Sequence, residues 1–443
     1  MITPAEPVVG PHVRRAALAF IFVTVVLDMV ALGVIVPVLP KLVVQFAGGD
    51  TARASRIYGL FGTVWALMQF LFAPVLGALS DRFGRRPVVL LSNLGLGLDY
   101  VLMALSPTLS WLFVGRVISG LTAASVPTAG AYIADVTPLE KRAAGFGMLG
   151  AAFGIGFILG PALGGVLGHI SPRLPFWVAA GLSLLNALYG LLVLPESLTV
   201  ERRAAFAWRR ANPVASLTLL RSHPELFGLA FANFLSYLAH EVLPSTFVLY
   251  ATYRYDWDAA TVGLTLAGVG VCFGIVQGGL VAPIVSRIGE RRALLTGLVF
   301  GIVGFATYGL AATGPWFWVG IPVMAIWGLS GPAAQGLMTR RVDSSEQGRL
   351  QGAVGSLRGI SGLFGPGLFT LTFAHFINEQ RSWQLPGAAF LLSSVLLVGA
   401  LVLAWKATKE QGNPKSEIRN PKETRMPNDE GPASSFSSSF SSS

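Results

Sequence analysis

The chain has 443 residues, of which 53% are apolar and only 12% charged. Soluble globular proteins carry about 25% charged residues, so a water-covered surface is excluded for a chain this long, and the mean hydropathy of +0.63 agrees. The net charge of +10 comes from 32 Lys and Arg against 22 Asp and Glu. These bases sit in short clusters between apolar runs, a pattern that orients membrane proteins and offers no basic face to nucleic acid.

A helix crosses the bilayer core with about 20 residues. Twelve apolar runs of that kind follow one another at 16–39, 56–79, 88–106, 109–133, 142–168, 174–194, 224–250, 258–283, 292–313, 315–338, 348–376 and 384–406. They are too long and too evenly apolar for barrel strands. The first lacks a small-residue cleavage site and is followed by eleven more, so it reads as a span and not as a signal peptide. The sequence predicts an all-α membrane protein of twelve transmembrane helices. Placing both ends in the cytoplasm puts 20 Lys and Arg on that side and 6 on the other, the bias expected of an N-in, C-in topology.

Residues 195–223, with Arg202, Arg203, Arg209 and Arg210, form the longest internal polar stretch and divide six runs from six. The reading is a first half at 1–194, a cytoplasmic linker, a second half at 224–406 and a tail at 407–443. The tail is charged, then Ser-rich, and is expected to be disordered. The single cysteine, Cys272, allows no disulfide within the chain.

A shift of 205 residues superimposes Arg82 and Gly84 on Arg287 and Gly289, Trp111 and Gly115 on Trp316 and Gly320, Pro127 on Pro332, and Gly160-Pro161 on Gly365-Pro366. One offset serving loops and spans alike predicts two parallel six-helix repeats. Such repeats build transporters that work around a central site by rocking one half against the other.

Gly77-Ala-Leu-Ser-Asp81-Arg82-Phe-Gly84-Arg85-Arg86 joins the second and third runs. Its glycines permit tight turns. Asp81 and the arginines either form ion pairs that break and reform, latching the halves, or serve topology alone while Asp81 caps the third span. In the fifth run, Gly156, Gly160, Gly164 and Gly168 form a smooth ridge for close helix contact, and Pro161 removes a backbone donor.

Five charged residues fall well within runs, away from their ends: Asp28, Asp99, Arg116, Glu241 and Arg358. A charge at the bilayer centre costs at least about 2.5–3.5 kcal/mol, so each requires a partner or a wet cavity. An Asp28–Arg116 pair is one arrangement, coupling to protons or simply holding helices together. Gln69 and Gln277 are amides that can bond either substrate or a neighbouring helix. His240 is expected to face water near the outer end of the seventh run, and His169 to be structural. Trp65, Trp111 and Phe157 read as packing or anchoring residues. The sequence holds no metal, nucleotide or nucleophile motif. No cofactor, enzymatic activity or obligate protein partner is expected, and the simplest energy source is an ion gradient.

The Gly77–Arg86 segment resembles the loop signature of the major facilitator superfamily. Gly156-Phe-Ile-Leu-Gly160-Pro161-Ala-Leu-Gly164-Gly165 resembles the fifth-span signature of its proton-coupled antiporters, and Arg116-Val-Ile-Ser-Gly120 its fourth-span motif. Leu27-Asp28, Pro37-Val-Leu-Pro40, Leu67-Met-Gln69, Phe72-Ala-Pro74 and Leu98-Asp99-Tyr100 are similar to the tetracycline/proton antiporter branch. The resemblance implies export of a drug-like compound, in that branch a metal–tetracycline chelate, exchanged for a proton across a bacterial inner membrane. Asp28, Gln69, Asp99 and Arg116 would line or couple the site; Asp81, Arg82, Arg85 and Arg86 would gate it. Phe273 and Gly301 stand where the branch has a His and an Asp, which counts against tetracycline itself and leaves Glu241 and Arg358 to carry a different coupling arrangement. An importer of a small metabolite, and a channel or sensor on the same scaffold, are the alternatives.

Overall fold

The computed structural model describes residues 11–138, 141–205, 212, 217–343, 346–378 and 382–409. The N-terminal residues 1–10, Arg209, Arg210, Arg381 and the tail from residue 410 lie outside the described residues. Every regular element among the described residues is a helix.

The first half contains α1 (Pro11–Ile35), α2 (Leu39–Phe46), α3 (Thr51–Phe83), α4 (Arg85–Leu105), α5 (Leu109–Thr122), α6 (Ser125–Val136), α7 (Arg142–Ile170) and α8 (Leu174–Val193). After the short α9 (Thr218–Ser222) the second contains α10 (Pro224–His240), α11 (Val242–Tyr255), α12 (Ala259–Ile275), α13 (Val281–Leu310), α14 (Gly314–Ala325), α15 (Ser330–Thr339), α16 (Gln347–Phe376) and α17 (Ala388–Lys409). Eleven segments among the described residues, several made of two helices in series, are long and apolar enough to cross a membrane. The remaining predicted run, 348–376, coincides with α16. This helix has 30 residues, but its many glycines and Arg358 lower its hydropathy.

Four spans among the described residues are broken part-way close to a proline, whereas Pro74, Pro161 and Pro366 lie inside unbroken helices. Proline has no N–H to give to the carbonyl four residues earlier. Pro40, Pro127, Pro244 and Pro332 therefore leave the carbonyls of Val36, Ala123, His240 and Gly328 without their helical donors. The chain breaks there: between α1 and α2, between α5 and α6, at Glu241 between α10 and α11, and at a 3-10 turn over Ile326–Leu329. The break at Val36 lies 205 residues before the one at Glu241, and Ala123 lies 205 before Gly328. Gly84 (φ 107°, ψ 161°) and Gly289 (φ 79°, ψ 158°) also share one backbone conformation, closed to residues with a Cβ. The repeat seen in the sequence thus extends to backbone geometry.

The buried members of each apolar cluster belong to one half. The halves meet chiefly where α7 packs on α12 and α3 on α16. Small residues allow this. A Cβ on Gly165 would lie 2.9 Å from the Cα of Gly263, and one on Gly62 2.8 Å from Pro366. The ridge of α7 faces α1: a Cβ on Gly160 would lie 2.7 Å from the Cα of Gly33. Four polar links join the halves at one end. Lys41 Nζ donates to the Trp257 carbonyl (2.6 Å), Ser55 Oγ to the Thr370 carbonyl (2.9 Å) and Tyr58 to the Pro244 carbonyl (3.4 Å). His169 Nδ1 lies 3.1 Å from Asp258 Oδ2. Toward the other end, Gly150 and Gly154 of α7 and Gly274 of α12 face open space. The two bundles splay apart there.

Candidate functional site

Between the halves lies a cavity of about 1020 Å³ with walls from both. The first half contributes Trp65, Gln69 and Phe70 from α3 and Arg116 from α5. The second contributes Tyr237 and His240 from α10, Glu241 at the break, Gln277, and Arg358 from α16. Five of the seven residues expected to bind or couple thus share one chamber: Gln69, Arg116, Glu241, Gln277 and Arg358.

The other two, Asp28 and Asp99, sit behind its wall. Asp28 is 5% exposed, and its carboxylate accepts a hydrogen bond from Ser125 Oγ. Ser125 opens α6 directly after the break at Ala123 and Ala124, so the interruption of the span positions this donor. Asp99 is 1% exposed, and neither of its oxygens has a hydrogen-bond partner among the described residues. Gly115 makes room for it: a Cβ there would lie 2.8 Å from Asp99 Oδ1. Arg116 is within electrostatic reach of Asp99. No Asp28–Arg116 ion pair is seen among the described residues: Asp28 bonds Ser125, and the acid named within electrostatic reach of Arg116 on the neighbouring helix α4 is Asp99, without an ion pair between them.

Gln277 lies in a π-helical turn, Val276–Leu280, and its Nε2 donates to the Gly328 carbonyl at 3.1 Å. That is the carbonyl Pro332 leaves without a donor. The amide thus ties α12 to the broken tenth span while facing the cavity. Arg358 forms no hydrogen bond or ion pair among the described residues; its guanidinium stands 6.0 Å from the centre of the Tyr237 ring. Glu241 rests against α16 where that helix has only glycines. A Cβ on Gly365 would collide with the Glu241 side chain, and one on Gly362 would lie 4.0 Å from Glu241 Oε1.

His240 is open to the cavity beside Trp327 (ring centres 5.9 Å apart) and does not face outer water. Trp65 lines the cavity, contrary to the packing role expected for it, whereas Trp111 and Phe157 are half exposed on the outer surface. Phe273 lines the cavity where the resemblance has a His. Gly301 does not: a Cβ there would meet Leu397 and Trp327 at 2.7 and 2.8 Å inside the second half. Asn233 was not foreseen. It lines the cavity 205 residues after Asp28, so the repeat offset was the signal that could have found it.

The loop at Asp81 is built within the first half. Asp81 pairs with Arg85 (2.5 Å), which reaches Asp135 (3.0 Å) and donates to Ser80 Oγ (2.7 Å). Glu196 accepts from the backbone N–H groups of Arg85 (2.8 Å) and Arg86 (3.3 Å) and so holds the start of α4. Asp81 is not that cap. Arg86 donates to the Leu191 carbonyl, and Arg82 lies over the Phe83 ring at 5.1 Å. In this conformation these contacts join α3, α4, α6 and the segment after α8, all within the first half. Gly84 is indispensable to them, because a Cβ would occupy the Glu196 carboxylate. Gly77 faces open space, and Pro161 offers its carbonyl to the close approach of Gly263. The second copy differs: Glu290 pairs with Arg340 (3.0 Å), and Arg291 donates to Thr408 (3.2 Å).

The sequence profile described as "Major Facilitator Superfamily" matches residues 21–366. The chain belongs to the Major Facilitator Superfamily. Among curated relatives of this superfamily member, the class C tetracycline resistance protein of Escherichia coli is 40% identical over 87% of this chain and 95% of that protein. The class B protein of Escherichia coli is 35% identical over 87% of this chain and 96% of that protein. Among solved structures, the human organic anion transporter MFSD10 has 23% identity and a TM-score of 0.66, covering 89% of this chain and all of that one. The nucleoside transporter NupG has 13% identity and a TM-score of 0.69, covering 90% of this chain and 99% of that one. These structural likenesses carry the fold. The protein is a multi-pass membrane transporter of the secondary active type and not an enzyme.

Proposed function

We propose that the chain is a proton-coupled exporter of a drug-like compound of the tetracycline kind, working in a bacterial inner membrane. In this reading it has twelve spans in two halves, 1–194 and 224–406, with 195–223 as a cytoplasmic linker and both termini inside. The positive-inside bias makes the Asp81 end cytoplasmic. The cavity then opens to the cytoplasm, and the Lys41 and His169 contacts close the outer side. The carrying observation is this chamber, shut at one end, with Arg116, Glu241 and Arg358 on its walls and Asp28 and Asp99 just behind. Ionisable groups in such a place are costly and mark ion or substrate pathways. The curated relatives named for tetracycline resistance support the substrate class.

Asp28 and Asp99 take and release protons as the chamber changes sides, Gln69 and Gln277 bond the cargo, and the brace around Asp81 and Arg85 keeps the first half rigid while it rocks. In energised everted vesicles, tetracycline should discharge part of an imposed pH gradient only when this protein is present. If neither tetracycline nor a panel of amphipathic drugs moves protons, the reading is wrong.

A further inference from the structure

Within the exporter reading, on which this step rests, we propose that Glu241 and Arg358 form a two-point receptor for a metal-free zwitterion: a substrate carrying an ammonium and an anionic oxygen on one aromatic body. A metal–tetracycline chelate would bring a cation into the chamber. The charged residues on its walls, among the described residues, are two arginines and one glutamate. Arg116 has Asp99 behind it. Arg358 is exposed to the cavity and has no hydrogen bond or ion pair among the described residues, only the face of Tyr237. A guanidinium on the wall of an apolar chamber, with no protein carboxylate bonded to it, is a ready receptor for a carboxylate or enolate.

Glu241 lies within electrostatic reach of Arg358 yet makes no ion pair with it. It sits at the break close to Pro244, where its own carbonyl accepts the Ser245 amide (3.2 Å) and Oγ (2.5 Å). Gly365 gives the Glu241 side chain room to lie against α16, and Glu241 lines the cavity. Trp65, Phe70 and Trp327 supply flat apolar wall for the body of the molecule. Glu241 then holds either a proton or the substrate's ammonium. When the ammonium arrives, the carboxyl O–H gives its proton to water and the carboxylate pairs with the ammonium. This competition for one carboxylate ties arrival of the substrate to release of a proton at Glu241, beside the proton traffic of Asp28 and Asp99.

The test uses the full chain in lipid nanodiscs with EDTA present. Two probes are compared: tetracycline, which carries an amine and an enolate, and 4-dedimethylaminotetracycline, which keeps the enolate and lacks the amine. Affinity and proton release, read with a pH dye in weak buffer, are measured for each. Tetracycline should bind without metal and release protons; the analogue should bind about tenfold more weakly and release none. Glu241→Gln should erase both differences. Arg358→Gln should weaken both probes at least about tenfold, the loss of one charged hydrogen bond, and Arg358→Lys should recover part of it. The proposal is overturned if tetracycline binds only with Mg²⁺ or not at all, or if Glu241→Gln leaves the discrimination intact. Metal-dependent exchange by the wild type in vesicles would keep the exporter and remove only this receptor.

Discussion

In the proposed exporter, single residues carry the coupling chemistry. Asp28 and Asp99 differ in environment, since one accepts from Ser125 and the other has no hydrogen bond among the described residues. Asp28→Asn and Asp99→Asn should each abolish proton-linked efflux while the protein reaches the membrane in normal amounts; drug accumulation and immunoblotting of the same cells check this. Retained efflux in both variants would remove their role. Gly84→Ala combines a forbidden backbone angle with displacement of Glu196. It should lower the thermal unfolding midpoint of purified protein and cut transport several-fold, by about 1–3 kcal/mol of local strain. The ionisable residues were legible in the sequence because a charge in an apolar run is costly and stands out. Their partners were not. Arg116 lies 17 positions from Asp99 and 88 from Asp28, and only the packing of α4 on α5 selects between them.

At the scale of elements, the spans were legible from hydropathy because bilayer thickness fixes their length. Their interruptions were not read, although the prolines beside them were in view, because Pro161 and Pro366 sit in unbroken helices. The consequence of a missing N–H depends on what takes the abandoned carbonyl. For Gly328 the taker is Gln277 on a different helix. Gln277→Leu removes that donor and should cost about 1–3 kcal/mol in the second half, measurable by thermal unfolding in detergent. Gly160→Leu would drive a side chain into Gly33 of α1. Overpacking of this kind costs about 1–3 kcal/mol, and loss of folded protein after detergent extraction is the expected result. Asp258 caps α12 by accepting from the Thr261 amide (2.8 Å), and that bond, with His169 and Lys41 nearby, holds its carboxyl below the usual aspartate range. Its contribution is present above the unfolded aspartate range and is lost as pH falls through the lowered native value. Asp258→Ala should cost about 1 kcal/mol at neutral pH and little in strong acid.

For the whole molecule, the separate cores and small-residue seams fit two bodies that rock as units. His169 and Asp258 come from different halves and meet at the closed end. With Cys272→Ala as background, His169→Cys and Asp258→Cys bridged by a bifunctional thiol reagent should hold that end shut and stop transport, with either single cysteine unaffected by the reagent. Undiminished transport after bridging would mean that this end does not open in the cycle.

The sequence alone determined that this chain lives in a bilayer, that it is helical, that its halves repeat at a fixed offset and which few charges sit among apolar residues. Those are properties of composition and spacing along one dimension, enforced by the cost of putting backbone and charge into oil. The tertiary structure decided which charges share a chamber, that Asp28 and Asp99 stand behind its wall, that His240 and Trp65 face inward and that the Asp81 loop here makes its contacts within the first half. These depend on helix rotation and on contacts between spans far apart in the chain, and a one-dimensional pattern does not fix either.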